Sequence, residues 1–161
     1  MKEVIIFGKP YKIVEQEAEK DSIEVIGDKI IVNRCEKTVK HLIREFLAEK
    51  LYNKLFEIYD EIKKEGKIEI LGDIDFEIVE KIDNRRKRIA KLKGNKIQVK
   101  LSAVVLPKLA LKYVVAHEVA HIFTKKHTKR FWEITKKICP EFKVGQELLE
   151  KNEKLLAKPG F

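Results

Sequence analysis

Apolar residues recur along this chain in two rhythms. Residues 3–7, 11–15, 22–26 and 29–33 carry short β-branched runs, broken by Gly8-Lys9-Pro10 and Gly27-Asp28. That pattern predicts four short strands joined by tight turns. Gly27-Asp28 between two apolar runs is a hairpin signal. From about 36 to 64 the rhythm changes. Val39, Leu42, Ile43, Phe46, Leu47, Leu51, Leu55, Ile58, Tyr59 and Ile62 recur at three- and four-residue steps, the mark of one long helix with a single buried stripe. Gly66 stands where a left-handed C-terminal cap is needed.

Strands are expected again at 67–71, 74–80 and 95–101. In the last, Ile97, Val99 and Leu101 alternate with Lys96, Gln98 and Lys100, which predicts one apolar and one wet face. Pro107 suits the first turn of a helix running to about Phe123 or Lys125. Thr128 is a good N-cap for a further helix that stops before Pro140, and 143–157 predicts one more. The expected architecture is α+β: an N-terminal antiparallel β-rich part with a long helix, then a C-terminal helical part. Neither an internal repeat nor a linker divides it, so a single domain over 1–161 is expected.

Composition narrows the class. With 44% hydrophobic residues among 161, the chain can build one real core. Only 7 Gly and 4 Pro, with no low-complexity tract, argue against disorder. No apolar run approaches the length of a membrane span, and Val4-Ile5-Ile6-Phe7 is too short for a signal-peptide core. A cytoplasmic protein without a membrane partner is expected. Cys35 and Cys139 form no C-x-x-C pair and read as small buried hydrophobes.

The net charge of +9 is unevenly placed. Residues 81–143 hold 18 Lys/Arg against 4 Asp/Glu, while the rest of the chain is net acidic. Such a half could attract nucleic acid or a nucleotide, or it could be a solvated basic face.

Against that background, His117-Glu118-Val119-Ala120-His121 matches H-E-x-x-H. On a helix, residues four apart share one face, so both imidazoles can reach one ion. Glu118 then falls beside the ion, where it can accept a proton from a bound water. A catalytic zinc site needs a third protein ligand and an open position. His127 is the first candidate, and Glu133, Glu147 and Glu150 are alternatives. For His127 to arrive, the helix must end near 124–126. Thr124 stands where metzincins place glycine, so the bend must be built differently. His41, one residue before the long helix's stripe, reads as a surface histidine.

The stretch from Leu106-Pro107 through Tyr113 to His121, then His127-Thr128-Lys129-Arg130-Phe131-Trp132 and Cys139-Pro140-Glu141-Phe142, resembles the YgjP-like metallopeptidase family. Phe7-Gly8-Lys9-Pro10-Tyr11 is similar to that family's early F-G-x-P-Y turn. SprT-like and WLM proteases are similar zincins, and they include proteases acting on proteins crosslinked to DNA. The resemblance implies a zincin-like metallohydrolase fold, Zn2+ at His117, His121 and His127, and Glu118 as general base. It also implies that Phe131 and Trp132 pack to fix the helix behind the third ligand. Where the family carries a Trp-Gly-Ser-Cys-like stretch, this chain reads Asn84-Arg85-Arg86-Lys87-Arg88-Ile89-Ala90, and Arg86 alone keeps the pattern.

The expected activity is peptide hydrolysis on a peptide or protein substrate, with strand 95–101 holding an extended peptide by edge pairing. Arg85, Arg86 and Arg88 could bind phosphate. A metal-dependent hydrolase of a phosphate-containing substrate, such as a nucleoside triphosphate, is therefore the second reading. A zinc-stabilised nucleic-acid module, or a DNA-linked protease, is the third.

Overall fold

β-branched runs and glycine turns in the first 34 residues build one four-stranded sheet. Its strands are β1 (Glu3–Ile6), β2 (Lys9–Glu17), β3 (Ser22–Ile26) and β4 (Lys29–Arg34), in the order β1-β2-β4-β3. The β1/β2 and β3/β4 pairs are antiparallel hairpins, joined through a parallel β2/β4 seam. Pro10 falls inside β2, where only β1 is a neighbour, because pairing with β4 begins at Lys12. Its missing N–H therefore breaks no ladder. The computed structural model describes residues 2–69 and 72–161.

The turn between β1 and β2 has a second task. Phe7 and Gly8 both take positive φ, 51° and 84°, and a Cβ on Gly8 would press on Pro107 Cγ at 3.3 Å. Phe7 N–H donates to Val104 O at 2.7 Å and Gly8 N–H to Val105 O at 3.0 Å. The strained turn is thus held against a 3-10 segment, Leu101–Val105, that leads into the helical part.

Helix α1 (Val39–Glu65) starts at Thr38, whose hydroxyl accepts from His41 N–H at 3.1 Å, and ends at Gly66 with φ 65°. Its buried stripe is Leu42, Ile43, Leu47, Leu51, Leu55, Ile58, Tyr59 and Ile62. It packs on the first sheet, on β5 (Asp75–Val79) and on the 3-10 segment. His41 stays on the surface, paired with Glu45 at 2.8 Å.

A second sheet has the order β5-β7-β6, with β6 at Ala90–Lys93 and β7 at Lys96–Lys100. β7 is parallel to β5 and antiparallel to β6. The expectation that 95–101 offers a free edge is therefore corrected: β7 is the central strand. The edge beside the helical part is β6, whose Ala-Lys-Leu-Lys sequence hides it in a basic run. The strand expected at 67–71 is not formed over 67–69, and residues 70 and 71 lie outside the described residues.

The helical part holds α2 (Lys108–Phe123), α3 (Lys129–Ile138), α4 (Phe142–Lys151) and α5 (Glu153–Ala157). The expected single tail helix is broken at Asn152, whose side-chain amide donates back to Leu148 O at 2.7 Å. Two further expectations change. Cys139 is buried but Cys35 is exposed. Lys100, assigned to a wet face, is only 8% exposed.

α4 sits close on α2 because residue 145 is glycine. A Cβ there would lie 2.7 Å from Tyr113 Cβ and 2.9 Å from Leu109 O. Ala is the better helix former, yet the overlap involves backbone. Gly145→Ala is expected to destabilise the fold by roughly 1–3 kcal/mol. Denaturant unfolding checks this, and an unchanged or raised midpoint would contradict the packing.

A candidate metal centre on helix α2

Helix α2 carries His117, Glu118 and His121 on adjoining faces, and its buried side is Ala110, Leu111, Val115, Ala116, Val119 and Ala120. Glu118 is only 5% exposed. The helix stops at Thr124, which has φ −153° and an extended backbone. The chain then bends through Lys125 and Lys126, with Thr128 N–H donating to Lys126 O at 2.8 Å. An extended residue at the exit makes the turn that a glycine would otherwise make, so no positive φ is required of Thr124. Thr128 caps α3 by accepting from Phe131 N–H. His127, just before that cap, is returned to the face of α2.

His117, His121 and His127 each present one nitrogen, and the three nitrogens lie within 4.8 Å of one another. Glu133, Glu147 and Glu150 do not join this cluster among the described residues. The ring orientations are fixed from behind. His121 Nδ1 lies 3.2 Å from Thr124 O, an atom that can only accept, so Nδ1 carries the proton and Nε2 keeps a free lone pair for a metal. His117 Nδ1 lies 3.0 Å from Glu118 Oε2 and is fixed in the same way. Phe131, fully buried, places its ring 5.1, 4.7 and 4.7 Å from the rings of His117, His121 and His127. Trp132 stacks on Phe142 at 5.7 Å and braces α3 against α4.

The residues fit a tetrahedral ion. His121 Nε2 and His127 Nε2 face each other at 3.2 Å. Ligand nitrogens at about 2.0–2.1 Å from a tetrahedral zinc stand about 3.3 Å apart. Without a proton or a cation between them, two ring lone pairs at this distance would repel. His127 is held below the ordinary imidazole pKa, first by loss of water around its ring and then by the His117 and His121 rings. It is therefore neutral at pH 7, as a metal ligand must be.

A cleft of about 490 Å³ opens over the cluster. Tyr113 and Val114 line it from α2, Ile89 and Ala90 from the start of β6 and the residue before it, and Leu149 from α4. Arg85, Lys87 and Arg88 form its basic wall. Two of the three arginines expected at the site are thus beside it, while Arg86 lines a different cavity. Lys87 was missed, since nothing in a basic run marks which side chains turn inward. The main-chain N–H of Leu92, which donates to Glu118 Oε1 at 3.1 Å, was missed because a backbone group leaves no mark in sequence.

A family model described as "YgjP-like, metallopeptidase domain" matches residues 1–152 of the chain. No curated protein and no solved structure matches it.

Proposed function

Because this chain belongs to the YgjP-like metallopeptidase family, we propose that it hydrolyses peptide bonds with zinc held by His117, His121 and His127 and with Glu118 as general base. One observation carries the reading: three imidazole nitrogens converge within 4.8 Å beside a buried carboxylate. Zinc bound there would act as a Lewis acid toward a scissile carbonyl and a water molecule.

The chain's own residues do the rest. Glu118 lines the cleft and accepts from Leu92 N–H at Oε1 and from His117 at Oε2. It would take the proton of the attacking water and pass it to the leaving amine. β6 supplies the edge for an extended substrate. In a two-residue hairpin the closing pair, here Lys93 and Lys96, exchanges hydrogen bonds, so Lys91 also faces β7. The main-chain groups of Ala90 and Leu92 then point outward, where a peptide could pair with them. Leu92 N–H is already engaged by Glu118, so pairing there requires the carboxylate to let go, and Ala90 O already accepts from Arg88 Nε at 3.2 Å, so a peptide N–H would share it with the guanidinium. With Arg85, Lys87 and Arg88 on the wall and, among the described residues, Glu118 as the only acidic lining residue, peptides with acidic side chains near the scissile bond are favoured.

The test is cleavage of an unfolded acidic protein by the zinc-loaded chain. Cleavage is expected to stop on chelation and to return with added zinc. Full activity after chelation would overturn the reading. Arg85 and Arg88 beside the histidine cluster also suit a phosphoester. Release of phosphate from a nucleoside triphosphate, without proteolysis, would put that substrate in place of a peptide.

A further inference from the structure

We propose that a second cavity, which shares Arg85 with the metal cleft but none of its histidines, binds a small phosphate-bearing molecule with a planar or apolar body, of the nucleoside monophosphate class. This does not depend on the peptidase reading. The cavity, of about 640 Å³, lies between the 80–86 loop, the start of the 3-10 segment, Arg44 of α1 and the segment 156–161. That volume suits a small-molecule site.

The strongest reason is Lys100. Its side chain comes from the end of β7 and is only 8% exposed. Nζ donates to Arg85 O at 2.7 Å and Arg86 O at 3.0 Å. An ammonium has three N–H donors, so one is left. Among the described residues no carboxylate lies within 4 Å of it. Burial alone pulls its pKa below the usual lysine value. A buried charge without a counter-ion is costly, and here it lines an open cavity.

The other lining groups point the same way. Lys81, Arg85, Arg86 and Lys158 also line the cavity, and none of them makes an ion pair among the described residues. Among the described residues Glu80 is the only acidic lining side chain, and it is already paired with Arg44. Ser102 adds a hydroxyl that can reach an anion. The apolar part of the lining comes from Ile82, Leu101, Leu156 and Phe161. The loop is a built structure: Asp83 and Asn84 are held at φ 48° and 56°, and the next two carbonyls are fixed by Lys100. Cations would take the phosphate, and the apolar surface would take the rest of the ligand.

Calorimetric titration of the full chain with AMP and with inorganic phosphate tests the site. AMP is expected to bind at least about tenfold more tightly than phosphate, and equally with or without bound zinc. Arg86→Ala and Lys158→Ala, both at exposed positions, are each expected to weaken AMP by about tenfold, the scale of one charge-assisted contact. Lys87→Ala, which touches only the metal cleft, should leave the affinity unchanged. Any of these results would overturn the proposal: no AMP binding at millimolar concentration, AMP no tighter than phosphate, binding lost on chelation or with Lys87→Ala, or a single-stranded oligonucleotide bound more tightly than AMP through the same residues.

Discussion

Replacing Glu118 with Gln is expected to lower kcat by about 10²–10⁴ in zinc-saturated protein, the range over which a positioned general base acts, with the metal still bound at saturating zinc. The geometry explains both halves. Glu118 is not one of the three converging nitrogen donors, so removing its charge deletes no ligand. A glutamine keeps the volume of a side chain that is only 5% exposed, so packing is preserved. One hydrogen bond must be lost. The carboxylate accepts from both Leu92 N–H and His117 Nδ1, and an amide has one oxygen for the two. Metal content and kcat should therefore be measured on the same preparation. Wild-type turnover with full metal occupancy would remove Glu118 from the mechanism.

His127→Ala is expected to weaken zinc binding by about 100-fold or more. Loss of an outer-shell partner alone costs about 10–100-fold, and this change removes a ligand. The fold should survive it, because His127 is exposed and stands outside the core. Competition with a chromogenic chelator gives the affinity, and circular dichroism reports the fold. Glu150→Gln serves as the comparison, since Glu150 was a rival ligand in sequence and lies outside the cluster. If Glu150→Gln weakens zinc and His127→Ala does not, the third ligand has been misassigned.

The legibility of this site in the sequence follows from which interactions are local. H-E-x-x-H is readable because helical geometry fixes where residues 117, 118 and 121 stand. His127 is legible for a similar reason, since Thr128 marks the next helix and bounds the connecting loop. The exit at Thr124 was legible only as a problem. Its solution, an extended residue in place of a left-handed one, depends on the Lys126 carbonyl and on the position of α3. β6 failed to show because four residues with two lysines carry little alternation, and its place is set by pairing with β7. Lys100 misled for the opposite reason. It obeys the alternation, and only the tertiary fold shows the 80–86 loop closing over its ammonium. The parallel seam between β2 and β4 is likewise a matter of topology, which turn chemistry does not encode.

The hairpin turn at Phe7-Gly8 bears on how far this protein can be trimmed. Every residue assigned here to metal or proton chemistry lies between 117 and 127, which invites cutting the chain down to that portion. Yet the backbone just ahead of α2, at Val104 and Val105, is hydrogen-bonded to Phe7 and Gly8 far upstream, and Pro107 touches the space beside Gly8. A fragment beginning near residue 95 would keep His117, Glu118, His121 and His127 but lose that clamp, and with it β6, whose Leu92 N–H holds Glu118. Shorter versions of this protein must therefore keep the β1/β2 hairpin and be sought by trimming elsewhere.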